Sequence, residues 1–419
     1  MNPSKLAYRL AESAQDAVPA LARLSSKTKT KILRDVARQM RKSKNVILAA
    51  NRRDVGAANK SGLSSAMMDR LTLNEKRIEA TAKAAEEVAK LNDPIGVIER
   101  RWKRPNGLQL EKITVPLGVI LIIFESRPNV TSECASLCLK SGNCVILRGG
   151  KEAFHSNQAI ARIYQAVYER HGVPKAACQA VGTTDRKLVS ELLKLDQFIN
   201  LAIPRGGEGL IRAVVSESRV PVIKHYKGIC HVYIDKDADM KQAVKITVNA
   251  KCQRPSVCNA AETLLVHRSI AKRALPVVCA ELEAQGCELR GDLETQKIVG
   301  DKVQAATEED WKTEYLEKIL SIRVVKDVEA AIDHIRKYGS AHTDAIVSRN
   351  AGAIKKFVQE VDSSSVMVNA STRFSDGNEY GFGAEMGIST DKIHVRGPMG
   401  LEGLTSYKYV VRGKGHIRT

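Results

Sequence analysis

One cysteine and one asparagine in this chain stand where their side chains could do chemistry. Cys258 lies in Gln253-Arg254-Pro255-Ser256-Val257-Cys258-Asn259-Ala260-Ala261, a turn between a helical stretch and the strand-like ETLLVH. A free thiol has a pKa of about 8.5, so it is a good nucleophile at neutral pH only where cations or amide dipoles favour the thiolate. Arg254 and the amide-rich turn are suited to that, although inert packing is the commoner role of a cysteine on such a turn. Asn129 lies in Glu125-Ser126-Arg127-Pro128-Asn129-Val130-Thr131, directly after the apolar run VILIIF. Its amide can donate to a developing oxyanion. Equally, Asn129 or Thr131 can cap the helix that follows.

Two glycine-rich turns offer a phosphate site. Arg148-Gly149-Gly150-Lys151 follows the strand CVIL, and Pro204-Arg205-Gly206-Gly207-Glu208-Gly209 follows FINLAI. Glycines let the backbone approach a phosphate closely, and the ends of parallel strands are where open α/β sheets bind ligands. The dinucleotide fingerprint GxGxxG is missing from both. A single turn of this kind is a connector in most proteins; two, both basic, point to a nucleotide.

The elements that must position these residues follow from hydrophobic patterning. After a helical first hundred residues, strands are expected at 119–124, 144–147, 176–181, 198–203 and 220–223, with helices at 131–142, 156–172, 187–195 and 209–218. Short runs that are apolar throughout, alternating with helices, predict a parallel sheet covered on both faces. A second alternation begins near Gly228 with HVYID and continues through ETLLVH, LEKILSIRVV, DAIVS and SVMVN. The fold class is therefore α/β, with two doubly wound parallel-sheet domains. Segments 107–118 and 401–419 fit neither and read as extended β arms, whose open edges are candidates for pairing with another subunit.

Composition narrows the functional classes. Lys and Arg number 66 against 47 Asp and Glu, a formal net charge of +19. Nucleic-acid binding is one explanation. No nucleic-acid motif accompanies the charge, however, and much of the excess lies in Lys27–Lys44, where Ile32, Val36 and Met40 mark the buried side of an amphipathic helix. The nine cysteines form no CxxC pair and no Cys/His zinc pattern, so no metal is expected and free thiols in a reducing compartment explain most of them. No run approaches the roughly 20 apolar residues of a membrane helix, and the N-terminus lacks an apolar signal core. A cytoplasmic protein is expected.

Taken together, the motifs RPNVT, LRGGKEA, GICHVY, RPSVCNAAETLLVH and NASTRFSDG resemble the aldehyde dehydrogenase superfamily, and closely its gamma-glutamyl phosphate reductase branch. The resemblance covers most of the chain after residue 100. It implies a cofactor domain over 1–106 and 119–227, a catalytic domain over 228–400, and an oligomerisation arm from 107–118 and 401–419. It places Cys258 at the family's nucleophile and Asn129 at its oxyanion donor. It also places Arg148, Gly149, Gly150, Lys151, Gly206 and Gly207 around the cofactor, and Glu314 at the nicotinamide ribose. Lys151 stands where NAD-dependent relatives have a glutamate on the ribose 2′-hydroxyl, which implies a 2′-phosphate and hence NADPH/NADP. Arg373, in NASTRFSDG, and Arg127 become candidates for the substrate carboxylate.

One departure bears on the reaction. Hydrolytic relatives carry a general-base glutamate two places before a Gly-Gly, and His225 stands at or near that place. A reductase of an acyl phosphate needs no water-activating base, because phosphate leaves by itself. The implied reaction runs from gamma-glutamyl phosphate through a Cys258 thioester to glutamate 5-semialdehyde, a step of proline synthesis paired with glutamate 5-kinase. A hydrolytic semialdehyde dehydrogenase and a nucleic-acid-binding protein on the same scaffold are the alternatives.

Overall fold

A computed structural model of the chain describes residues 2–418 and divides into two compact units. Among the described residues, the first comprises 2–224, 382–387 and 399–418; the second comprises 225–381 and 388–398.

Two sheets lie in the first unit. Strands β1 (Ile98–Lys103) and β2 (Gln109–Pro116) form an antiparallel sheet with the C-terminal strand Thr405–Arg412, β2 being central. Strand β1, too charged to be read as a strand from sequence, thus adds to the two arms expected there. Strands β3 (Val119–Phe124), β4 (Cys144–Gly149), β5 (Cys178–Ala180) and β6 (Leu201–Arg205) make a parallel sheet in the order β5-β4-β3-β6. Every residue of β3 is buried, as a central parallel strand requires. The chain moves outward from β3 through β4 to β5 and then returns to place β6 on the other side of β3. The switch point therefore lies between the ends of β3 and β6, where such sheets bind ligands.

The basic helix Ser26–Lys42 buries Ile32, Leu33, Val36, Ala37 and Met40. Its Arg41 is paired with Glu79 and Glu86 of the helix Glu75–Lys90.

Two expectations need correction. Residues 220–223 form only a bridge, Ala202 with Val222, in place of a strand. Pro221 accepts from the Ala202 N–H at 2.9 Å but has no N–H of its own to extend a ladder. The helix expected from residue 131 begins at Pro128, which suits the first helical position because its missing N–H would have had no partner. Asn129 and Thr131 therefore lie inside the first turns, and neither caps. Arg127 holds the cap position without a side-chain bond.

In the second unit, seven strands run parallel in the order β10-β9-β11-β8-β7-β12-β13. They are β7 (Cys230–Ile234), β8 (Ala261–His267), β9 (Glu288–Gly291), β10 (Gln304–Ala305), β11 (Ile319–Val325), β12 (Thr343–Val347) and β13 (Ser365–Val368). The sequence pattern did not disclose β9, β10 or the helix Leu293–Val299, because short runs such as ELRG alternate charge with burial. The helices Met240–Cys252 and Arg268–Ala284 bury Ala243, Ala250, Ala274, Leu275 and Val278 against β7, β8 and β11.

Candidate active site

Cys258 lies in the loop between the helix Met240–Cys252 and β8, at the N-terminal edge of the second unit's sheet. Seven of the nine cysteines are buried; only Cys252 and Cys258 are partly exposed. Burial pushes the thiols of Cys144, Cys178 and Cys279 up to about 12, which leaves them inert. Cys252 is brought down to about 7, chiefly by a hydrogen bond with Cys287, with help from Lys318 and Lys251 against the effect of burial. It is the one thiol that rivals Cys258.

The Cys258 turn is braced on several sides. The Cys230 thiol donates to the Cys258 carbonyl at 3.2 Å. Gly228 packs so closely against that peptide that an added Cβ would lie 2.6 Å from its Cα and carbonyl carbon. The next residue, Asn259, donates to the Ser375 carbonyl at 2.9 Å and accepts from Arg373. Arg373 also donates to Gln253 at 2.9 Å, so its guanidinium is engaged in fastening the loop after β13 to the cysteine turn.

Glu314 is half-buried and accepts from the Gly228 N–H at 3.0 Å. His225 Nδ1 donates to the Ile388 carbonyl at 3.0 Å, and its ring stands 5.7 Å from that of His342.

Sequence reasoning missed the fully buried pair Lys251–Glu262, 2.5 Å apart and close in sequence to the thiol. Burial pushes Glu262 up to about 7 against the pull of Lys251. Lys251 reads as one more cation of a basic chain, and Glu262 as part of a strand; only the fold joins them.

In the first unit, the expected cofactor residues gather at the C-terminal ends of β3, β4 and β6. Glu125, just after β3, accepts from the Gly207 N–H at 3.3 Å and so ties the loops at the switch point. A Cβ on Gly206 would stand 2.6 Å from the Glu125 carboxyl carbon, one on Gly149 would strike the Asn157 amide, and one on Gly150 would strike the Glu152 carboxylate. Arg148 donates to the carbonyls of Gly149 and Thr184, each at 3.1 Å. A cavity of about 450 Å³ opens here, with Arg148, Gly150, Lys151, Glu152, Thr184 and Arg186 on its wall. Arg186 and Thr184 were not foreseen, because the loop after β5 has a lone glycine, Gly182, in place of the paired glycines of the other two turns. The cavity and the cations on its wall suit the adenosine end of a dinucleotide.

Asn129 is exposed in the first turn of Pro128–Lys140. Arg127 beside it is exposed at the surface, yet partial desolvation of its guanidinium lowers it from its ordinary pKa, and Arg70 and Arg205 lower it further.

Comparison with known proteins settles the family. The aldehyde dehydrogenase family model matches residues 4–312. The chain is 53% identical over 409 residues to a gamma-glutamyl phosphate reductase of Geobacter metallireducens, covering 98% of each. It is 51% identical over 404 residues to one of Nautilia profundicola, covering 96% of this chain and 98% of the relative. The chain belongs to the aldehyde dehydrogenase family, in its gamma-glutamyl phosphate reductase branch. The crystal structure of a gamma-glutamyl phosphate reductase from Thermotoga maritima superposes with a TM-score of 0.97 at 46% identity, covering 99% of this chain and all of that one. The α/β aldehyde dehydrogenase fold is thereby shown, and the family implies a nicotinamide cofactor. Among the described residues no helix is long and apolar enough to cross a membrane, and no cluster of His, Cys, Asp and Glu could hold a metal ion.

Proposed function

We propose that the chain reduces gamma-glutamyl phosphate to glutamate 5-semialdehyde and phosphate, the second step of proline synthesis from glutamate, through a thioester on Cys258 with NADPH as the reductant. The observation that carries this reading is the partly exposed Cys258 on a turn braced by Cys230, Gly228 and Asn259, in a chain so similar to gamma-glutamyl phosphate reductases.

The Cys258 thiolate attacks the acyl carbon. The bond from that carbon to the phosphate oxygen breaks, phosphate leaves with the electron pair, and a thioester remains. Asn129 donates its amide N–H to the oxygen that gains charge as the carbon becomes tetrahedral. A nicotinamide cofactor, when bound, supplies the hydride that takes the acyl group to the aldehyde level. Collapse of the resulting thiohemiacetal frees the aldehyde and restores the thiolate. No step needs a base to activate water, which accords with a histidine, His225, where hydrolytic relatives have a glutamate.

Arg148, Gly149, Gly150, Gly206 and Gly207 hold the cofactor's adenosine and phosphates, and Glu314 its nicotinamide ribose. Lys151, exposed on the cavity wall, and Arg186 suit a 2′-phosphate and so favour NADPH. Arg127 takes the substrate carboxylate more directly than Arg373, whose guanidinium already serves Gln253 and Asn259.

The strand Thr405–Arg412 is an open sheet edge that exposes Tyr407, Tyr409 and Val411, which supports a second copy of the chain as its partner. Cytoplasmic location and functional pairing with glutamate 5-kinase, which would make the acyl phosphate, complete the proposal.

The test runs the reaction in reverse. Glutamate 5-semialdehyde with NADP⁺ should yield NADPH in strict dependence on inorganic phosphate. Steady NADPH formation without phosphate would replace this reading with a hydrolytic dehydrogenase.

A further inference from the structure

The mechanism leaves unused one pair of charged side chains in the second unit, Lys251 and Glu262, both wholly buried. Lys251 is the last residue but one of the helix Met240–Cys252, and Glu262 is the second residue of β8. The pair therefore closes the base of the loop that carries Cys258. The Lys251 ammonium meets Glu262 Oε2 at 2.5 Å. The other carboxylate oxygen, Oε1, accepts from the Leu316 backbone N–H at 3.4 Å. One carboxylate thus joins the nucleophile's loop to the segment Glu314-Tyr315-Leu316.

That segment is held at each of its three residues. Glu314 accepts from the Gly228 N–H at 3.0 Å. The Tyr315 hydroxyl donates to Asp310 at 2.7 Å, and the centre of its ring lies 5.7 Å from the Lys251 ammonium and 5.2 Å from the Arg290 guanidinium, within cation–π reach. Leu316 has a φ of 56°, a left-handed conformation that a residue with a Cβ adopts only where its surroundings impose it. Its side chain is exposed, so burial does little to offset that strain, and the bond to Glu262 holds the turn. A buried ion pair is seldom more stabilising than apolar side chains of the same volume. Stability alone does not account for Lys251 and Glu262.

We propose that Glu262, paired with Lys251, is a positioning residue: it fixes the Glu314 turn to the strand that follows Cys258, so that the residue gripping the cofactor's ribose and the thiol carrying the acyl group keep one register. This rests on the role given to Glu314 above. Glu262 acts through Glu314 and touches neither cofactor nor substrate.

Two double variants isolate the bond. Both carry Lys251→Met, so that no buried charge is left alone. One adds Glu262→Gln, which keeps an oxygen for the Leu316 N–H; the other adds Glu262→Leu, which does not. NADPH affinity is read by fluorescence titration, the thiol by the rate of Cys258 alkylation with iodoacetamide, and the fold by the urea midpoint. The Leu variant should bind NADPH about two- to tenfold more weakly than the Gln variant, the worth of one hydrogen bond, while the two alkylate alike. Glu262→Asp alone keeps the charge but is too short to serve both partners. It should weaken NADPH to a similar degree, and it carries the test if the Leu variant does not fold. Equal affinities in the two double variants, or a Glu262→Asp enzyme that binds NADPH as the wild type does, overturn the assignment. So does a loss of affinity matched by an equal change in alkylation rate, which marks a general loosening of the unit. Glu314→Ala separates the inference from the reading beneath it. If that substitution leaves NADPH affinity unchanged, Glu314 does not hold the cofactor and both fail; if it weakens NADPH while the double variants bind alike, only the inference about Glu262 fails.

Discussion

Gly228→Ala should disable the enzyme without touching a reacting group. The glycine is buried and its φ is not left-handed, so alanine is acceptable to the backbone; the obstacle is contact alone. An added Cβ would stand 2.6 Å from the Cys258 Cα and carbonyl carbon, whereas ordinary contact begins at 3.4 Å. The cysteine turn or the Gly228 strand entry must therefore yield by at least about 0.8 Å, the difference of those two distances, and by more to clear the Cys258 carbonyl oxygen, which stands nearer still. Retreat of Gly228 would strain its 3.0 Å hydrogen bond to Glu314, and retreat of the turn would disturb the Asn259 bond to Ser375. A misplacement near 1 Å costs about a hundredfold in rate where geometry is preorganised, and overpacking costs about 1–3 kcal/mol of stability. Turnover in the reverse assay, the rate of Cys258 alkylation by iodoacetamide and the urea midpoint report on these separately. A Gly228→Ala enzyme with wild-type turnover and alkylation rate would show that the brace is irrelevant to the thiol.

Asn129→Asp should lower kcat by about 10²–10³, and Asn129→Ala should leave stability within about 0.5 kcal/mol, since the asparagine is exposed and caps nothing; urea unfolding and turnover read the two. Lys151→Ala should weaken NADPH about ten- to a hundredfold and leave NADH nearly unchanged in fluorescence titration. Burial, aided by His225, holds His342 down to about 3. Because the folded state binds that proton more weakly than the unfolded chain, its stabilisation is present above about pH 6.5 and is lost toward pH 3, at about 1.4 kcal/mol per pH unit. His342→Asn should remove that much from the slope of urea-unfolding free energy between pH 6 and 4, where an unchanged slope would be contrary.

Much of the fold was legible because its strands are apolar throughout. VILIIF and CVIL admit few readings other than buried parallel strands, and the glycine turn after CVIL announces a strand end. Pro221 defeated the reading of 220–223, since its missing N–H outweighs an apolar pattern when a ladder must form. Pro128 likewise started its helix earlier than polarity suggested and so removed the capping role of Asn129. Local sequence also identified the Cys258 turn. What it could not supply were relationships across long separations: Arg373 with Gln253 and Asn259, and Gly228 with Cys258. Each depends on which loops the sheets bring together, and no periodicity encodes that.

Whether the acyl group resides on Cys258 decides the central claim, because Cys252 carries the more acidic thiol among its structural rivals. The enzyme should be mixed with glutamate 5-semialdehyde and NADP⁺ in the absence of phosphate, quenched rapidly in acid, and mapped by peptide mass spectrometry. The account predicts a burst of NADPH matching the enzyme concentration, with a glutamyl thioester on the peptide bearing Cys258. The burst should survive Cys252→Ser and vanish in Cys258→Ser. A thioester on Cys252, or a full burst from Cys258→Ser, would contradict it.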